Sequence, residues 1–455
     1  MKKAFKKSLA LTVAILFICI SLTSCGIFQK KPETAEELWN RIDETMTNLT
    51  SYEANISLDM SYEIESKKFT AKGNGTLITI KENDDLYYYN SMVTEISCPE
   101  LSIDQKSTSV KAYDDGAMFI SNKSEGIDQN LSAKTDREAF LKAQENSGMD
   151  FDFNDSSKSE FDQDDDKSWE LSFWGFDSDT LAATANEMGF SDIISDASLE
   201  DIIVTVYADK DFKVFLMDVD FIFKPEKTGA PVPTVSAEAD YGKFNEASEI
   251  DIEKDKFTQV DNLLILEDID NMLNDIYNNT DGLVTLNITQ ASYYDGKKKS
   301  SSKETDSITY GKKDGKYSHR IVSKINGVNT ATIKYANGSQ TVSSSGKTQS
   351  ASLTEFEAKL FLRQLINTPK YDSSLVSNVT NNGNGVYKIT LIEADPSLYE
   401  NLAANITSTS ATVEFTVVDG KITLINSDIK LSGTSSKTST VPFKLTISSD
   451  LRVVK

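Results

Sequence analysis

From Tyr52 to Ile64 the chain alternates. Tyr52, Ala54, Ile56, Leu58, Met60, Tyr62 and Ile64 are interleaved with mostly polar residues. Successive side chains of an extended strand point to opposite faces, so seven steps in phase define one long strand with a single apolar face. An antiparallel sheet built on such strands needs a cover for that face.

The order of elements around this strand recurs. An amphipathic helix precedes it, from Thr34 to about Leu49, with Leu38, Ile42, Met46 and Leu49 on one stripe. Thr34 and Glu37 have the spacing of a capping box. In the second half, Leu266, Ile269, Met272, Leu273 and Ile276 repeat the stripe. A strand with Val284, Leu286 and Ile288 follows, then a phase slip at Gln290 that reads as a bulge. Further strands are expected near 69–81, 86–97 and 110–121, and near 306–311, 316–325, 329–336 and 340–345. "NGVN" and "ANGS" are hairpin turns, because Asn-Gly accepts positive φ.

A middle helix is expected in each half, capped by Thr135 with Glu138 or by Ser352 with Glu355. The segment from Trp169 then lines up with that from Tyr387. Both read as a strand followed by a helix that starts at Asp177 or Asp395, with Pro396 at a tolerant first position. Hairpins from Val204 and Val413 have Asp-containing turns, and closing strands lie near 234–242 and 441–448. The fold class expected is α+β: two tandem repeats, each a curved antiparallel sheet, or half-barrel, covered by helices. The boundary falls in the charged, aperiodic stretch 246–259.

The leader supplies an address. Met1-Lys2-Lys3-Ala4-Phe5-Lys6-Lys7 is basic, and the apolar run Leu9–Leu22 is short for a span of ~20 residues. Leu22-Thr23-Ser24-Cys25 resembles the bacterial lipobox. That resemblance implies a signal peptide 1–24, cleavage before Cys25, and a diacylglyceryl group, with palmitate-type acyl chains, on its sulfur. Residues 25–33 would be a short tether to the extracytoplasmic face of the bacterial cell membrane.

The net charge is −23, and about −27 once the four leader lysines are gone. This excess argues against nucleic acid and against anionic lipid headgroups as main partners. With Cys19 removed and Cys25 acylated, only Cys98 remains as a thiol, so no internal disulfide is expected. That fits an exported bacterial protein.

Lipobox, repeat size and element order together resemble the LolA/LppX-like superfamily of lipoprotein carriers and lipid-binding lipoproteins. The resemblance implies a domain over 34–250 and another over 257–455. It implies an apolar cavity between sheet and helices, holding a lipid or acyl chain, and no catalytic residues or cofactor. Candidate cavity-lining residues are Ile56, Leu58 and Met60, with Val284, Leu286 and Ile288 in the second repeat. The alternative is an envelope interaction or sensor lipoprotein, its domains solid scaffolds, with loops such as 149–167 or 294–305 meeting a protein or the cell wall.

Catalytic chemistry finds little support. His319 is the only histidine, which excludes multi-histidine metal sites and ties any Ser-His-Asp or Cys-His arrangement to this one residue. It reads as an exposed strand residue, and Cys98 as a buried small one. Asp150, Asp152 and Asn154 have the odd-position spacing of a calcium loop, but Asp155 occupies the turn position that needs glycine. The stretch 149–167 therefore reads as a solvated acidic loop. The aromatics at 86–90 and 169–176 read as core or cavity wall before a sugar platform.

Overall fold

The computed structural model describes residues 31–64, 67–82, 85–125, 127–145, 151, 153–187, 197–225, 231–278, 282–295, 300–313, 316–355, 358–359, 361–362, 371, 373–392, 405–434 and 442–454. The chain divides into two compact units, Met1–Phe257 and Thr258–Lys455.

In the first unit, helix α1 (Ala35–Thr47) precedes six hairpin-connected strands: β1 (Ser51–Ile64), β2 (Lys67–Glu82), β3 (Asp85–Cys98), β4 (Ile103–Asp114), β5 (Ala117–Ser124) and β6 (Ile127–Lys134). Helix α2 (Arg137–Glu145) leads to β7 (Lys158–Gln163) and β8 (Trp169–Trp174). Helix α3 (Ser178–Glu187) leads to β9 (Ala197–Ala208), β10 (Val214–Pro225) and β11 (Thr234–Gly242). The second unit follows β12 (Thr258–Gln259) with helix α4 (Leu264–Asn278) and strands β13 (Gly282–Asp295), β14 (Ser300–Lys313), β15 (Lys316–Ile325), β16 (Val328–Ala336), β17 (Ser339–Ser344) and β18 (Lys347–Ser352). Then come β19 (Val376–Asn381), β20 (Val386–Leu391), β21 (Asn405–Val418), β22 (Lys421–Thr434) and β23 (Pro442–Val454).

The sheet of the first unit has the order β6-β5-β4-β3-β2-β1-β11-β10-β9-β8-β7, and that of the second β18-β17-β16-β15-β14-β13-β23-β22-β21-β20-β19. Adding twelve to each strand number of the first sheet gives the second. In both, two meanders meet where the first and last strands pair antiparallel, β1 with β11 and β13 with β23.

The architecture corrects the expected α+β class. Both units are mostly β, and the helices α1 to α4, of 13, 9, 10 and 15 residues, are too short to cover sheets this wide. Sequence reading undercounted strands because several are polar. β7 (KSEFDQ) and β18 (KTQSAS) carry no apolar alternation, and their neighbours hold them in place. The stretch 110–121 is two strands. Asp115 and Gly116, with φ of 48° and 72°, turn the chain between β4 and β5.

Local signals fared better. Asn326-Gly327, Asn337-Gly338 and Asp419-Gly420 all turn with positive φ. The Thr34 hydroxyl accepts from the Glu37 N–H at 3.1 Å, while the Glu37 carboxylate accepts from the Glu33 N–H at 2.8 Å. Asp177 caps α3 through the Thr180 N–H at 2.8 Å. The cap of α2 is Asp136, not Thr135: its carboxylate takes the N–H groups of Glu138 and Ala139. In the second unit Ser352 ends β18, and the expected middle helix starts just after it: residues 355, 358, 359, 361 and 362 are helical, and the Thr354 carbonyl accepts from the Ala358 N–H at 3.1 Å. Asp395 and Pro396 lie outside the described residues. The strand register runs without a shift through Gln290, so the expected bulge is absent there. In the β13–β18 meander a shift comes instead at Ser323/Lys324, where β16 carries the extra residue Thr330.

Side chains from distant strands form the first unit's core. Phe173, Val204, Val219, Ala237, Leu58 and Gly73 pair in one row across six strands. Trp39 of α1 packs on it, its ring 5.5 Å from that of Phe173. Part of the opposite face is also covered. The irregular segment 243–257 lays Ile252 and Phe257 over Ile78, Tyr87, Ala112 and Phe119. The stretch expected to be a boundary thus closes a second core.

Candidate functional site

Ile56, Leu58 and Met60 lie side by side on the inner face of β1, exposed by 3%, 1% and 9%. They pair with Gly75, Gly73 and Ala71 on β2 and with Ala239, Ala237 and Val235 on β11. A Cβ at Gly73 would stand 3.0 Å from the Met92 sulfur and 3.1 Å from the Leu58 Cβ, so small residues on β2 make room for large ones beside them. Val284, Leu286 and Ile288 occupy alternate positions of β13, and their side chains lie outside what is described. Cys25 also lies outside the described residues.

A concavity of ≈ 670 Å³ in the second unit is polar. One row of pairs supplies Lys388, Glu414, Asn426, Asp450 and Thr289 from β20, β21, β22, β23 and β13. The next row supplies Thr412, Asp428 and Ser448. The Ser448 hydroxyl donates to Asp428 at 2.5 Å, and Asn426 donates to Glu414 at 3.5 Å. These groups lie on the face opposite the buried Val413, Phe415, Ile425 and Leu451. Such a grid offers donors and acceptors to a polar partner. Sequence patterns missed it, because polar residues on the exposed positions of a strand look like ordinary solvated surface. A smaller concavity of ≈ 210 Å³ in the first unit is lined by Asp114, Asp115, Arg137 and Glu249 beside Tyr87 and Tyr113.

The acidic stretch is more ordered than expected. Asp150 and Asp152 lie outside the described residues, and Asn154 sits in a short 3₁₀ turn, Phe153–Asp155. Residues 158–163 form β7, and 164–167 make the tight turn to β8. The hydroxyl and N–H of Ser168 both donate to Asp166, which holds that carboxyl below its usual range. Among the described residues, no three His, Cys, Asp or Glu side chains gather to hold a metal.

His319 overturns its expectation: it is 3% exposed. It sits in the row Tyr310–His319–Tyr335–Gln340 across β14 to β17, ringed by Tyr317, Tyr335 and Phe361 at 6.1, 5.5 and 6.2 Å. Lys359, paired with Glu355 at 2.9 Å, stands over the Tyr317 ring. Burial pushes the His319 imidazole down to about 4, outweighing the Gln340 side chain, which favours protonation. The unfolded chain therefore takes up a proton near pH 6.5 that the folded chain refuses until about 4. Stability is full above that window and falls as pH drops through it, by about 2 kcal/mol after allowance for residual solvent screening. Urea midpoints at pH 7 and pH 4.5 measure this, and His319→Phe should flatten the difference. Cys98 is fully buried, its sulfur 3.6 Å from Glu100.

No known protein family matches the sequence. No curated protein matches it either. Among solved structures, the Mycobacterium tuberculosis lipoprotein LppX is similar over 42% of this chain and 93% of its own, at 15% identity and TM-score 0.23. An AttH protein of Nitrosomonas europaea is similar over 88% of this chain and 92% of its own, at 7% identity and TM-score 0.15. Transferrin binding protein B of Haemophilus parasuis is similar over 90% of this chain and 76% of its own, at 8% identity and TM-score 0.13. Likenesses this loose define no family. The class the fold defines is a pair of wide antiparallel sheets.

Proposed function

We propose that this chain is a non-enzymatic lipoprotein. Acyl chains on Cys25 hold it at the extracytoplasmic face of a bacterial membrane, and its two β units are packed scaffolds that present polar surfaces to a protein or cell-wall partner. The identical order of the two eleven-strand meanders supports descent from one duplicated unit. One observation carries the scaffold reading. A void wide enough for an acyl chain leaves its lining accessible to water, whereas Ile56, Leu58 and Met60 keep only 3%, 1% and 9% of their surface. Both described concavities have polar, charged linings. The lone histidine is sealed under aromatic rings, away from any role as an exposed Ser-His or Cys-His base.

Metabolic labelling with palmitate tests the anchor. Label should appear on the wild-type chain and vanish in Cys25→Ala. Mass spectrometry of organic extracts from the unacylated chain, residues 26–455, tests the scaffold, and no stoichiometric lipid is expected. A copurifying lipid would favour the reading in which the units carry an apolar ligand.

A further inference from the structure

The net charge of −23 is not shared between the units. Residues 1–257 hold 26 Lys and Arg against 50 Asp and Glu, whereas residues 258–455 hold 21 against 20. Within the second unit, residues 297–352 hold 11 against 3. The whole-chain charge that disfavours anionic headgroups is thus a property of the first unit alone, and the second contains a basic meander.

Strand alternation sorts these charges onto one face. Arg320 of β15 pairs with Thr309 of β14 on one side and Lys334 of β16 on the other, and Lys324 pairs with Thr305. Arg320, Lys324 and Lys334 are exposed, and the exposed Lys303 shares their face two residues from Thr305. The adjoining carboxylates of β14, Glu304 and Asp306, fall on the opposite face, Asp306 only 9% exposed, whereas Glu414, Asp428 and Asp450 share the cations' face farther across the sheet and line one concavity with Lys303. Among the described residues, none of the four cations has an ion-pair partner. Arg320 and Lys334 stand directly opposite each other, an arrangement that destabilises a sheet. A chain so rich in carboxylates has left this repulsion unrelieved.

The face ends in an apolar tip. The β15–β16 hairpin turns through Asn326 and Gly327, and the flanking Ile325 and Val328 are 42% and 68% exposed. Asn326 ties the tip to β14: its side-chain oxygen accepts from the Lys303 N–H at 2.9 Å, and its own N–H donates to the Lys303 carbonyl at 2.7 Å.

We propose that this face docks on an anionic phospholipid surface. Lys303, Arg320, Lys324 and Lys334 meet headgroup phosphates, and Ile325 and Val328 enter the boundary between headgroups and acyl chains. A soluble polyanion would satisfy the cations but offer the aliphatic tip nothing, whereas a lipid surface takes both. The inference rests on the anchored reading, which keeps a membrane within reach. The acidic first unit of a second copy is the competing occupant.

The test uses unacylated chain 26–455 and sedimentation with vesicles of phosphatidylcholine, alone or mixed with phosphatidylglycerol. Binding is expected only to the mixed vesicles, weakening as salt rises. Arg320→Glu with Lys324→Glu and Lys334→Glu should reduce it by ~tenfold or more. Ile325→Ser with Val328→Ser should reduce it without changing the salt dependence, and Lys421→Glu with Lys430→Glu, on β22, should leave it unchanged. Thermal melts establish that each variant is folded. Should the triple variant fail to fold, the aliphatic pair and the wild-type salt dependence decide. Equal binding to neutral vesicles, no binding, or indifference to folded charge reversal overturns the proposal. Self-association that charge reversal abolishes, without vesicle binding, gives the face to a second copy. Vesicle failure with palmitate still on Cys25 leaves the anchor standing; vesicle binding without palmitate removes the anchor alone.

Discussion

Leu58→Asp is expected to unfold the first unit. Leu58 is 1% exposed and lies in the row that joins Phe173 to Gly73 across six strands. Removing its branched side chain forfeits ~2–5 kcal/mol of packing. Burying a carboxylate with no partner adds several kcal/mol more, and protonation relieves only part of that. The total rivals the ~5–15 kcal/mol that holds a typical domain folded. Urea unfolding followed by circular dichroism should show the loss of a transition, and limited proteolysis should map cleavage to the first unit. A variant that melts like wild type but loses a bound lipid would restore the open cavity and end the scaffold reading. The substitution therefore separates the two functional readings by stability, without knowledge of a ligand.

Tyr87→Ala should cost ~3–5 kcal/mol, the range for large aromatic residues cut back in a core. Tyr87 is 4% exposed although it lies on the face of β3 opposite Tyr88 and Met92, because the segment 243–257 covers it. Its hydroxyl donates to the Ile250 carbonyl at 2.8 Å and accepts from the Ile250 N–H at 2.9 Å. Phe257 closes edge-on against Phe119, and Lys254 reaches Asp114 at 2.7 Å. Tyr87→Phe keeps the ring and breaks only the two hydrogen bonds, so a smaller loss of ~1–3 kcal/mol is expected. Hydrogen exchange at residues 247–257 separates the two: Tyr87→Ala should release the whole segment, Tyr87→Phe only its centre. Unchanged protection in both would mean that the segment is held by Phe257 and Lys254 alone.

Residues a few positions apart dictate the local elements. The alternation from Tyr52 to Ile64 became β1, the stripe from Leu266 to Ile276 became α4, and the Asn-Gly pairs became hairpins. Each depends on residues a few positions apart, so short-range periodicity and turn chemistry suffice to reveal it. Tertiary structure decided everything that needs a partner far along the chain. Polar β7 and β18 are strands only because β8 and β17 pair with them. His319 reads as surface in "KYSHRIV", yet Tyr335 and Phe361 seal it. The acidic surplus hides a basic face because strand alternation sends Glu304 and Asp306 one way and Arg320, Lys324 and Lys334 the other. Which face of a strand is buried, and by what, is fixed by contacts that form only when distant segments meet, and no local pattern records them.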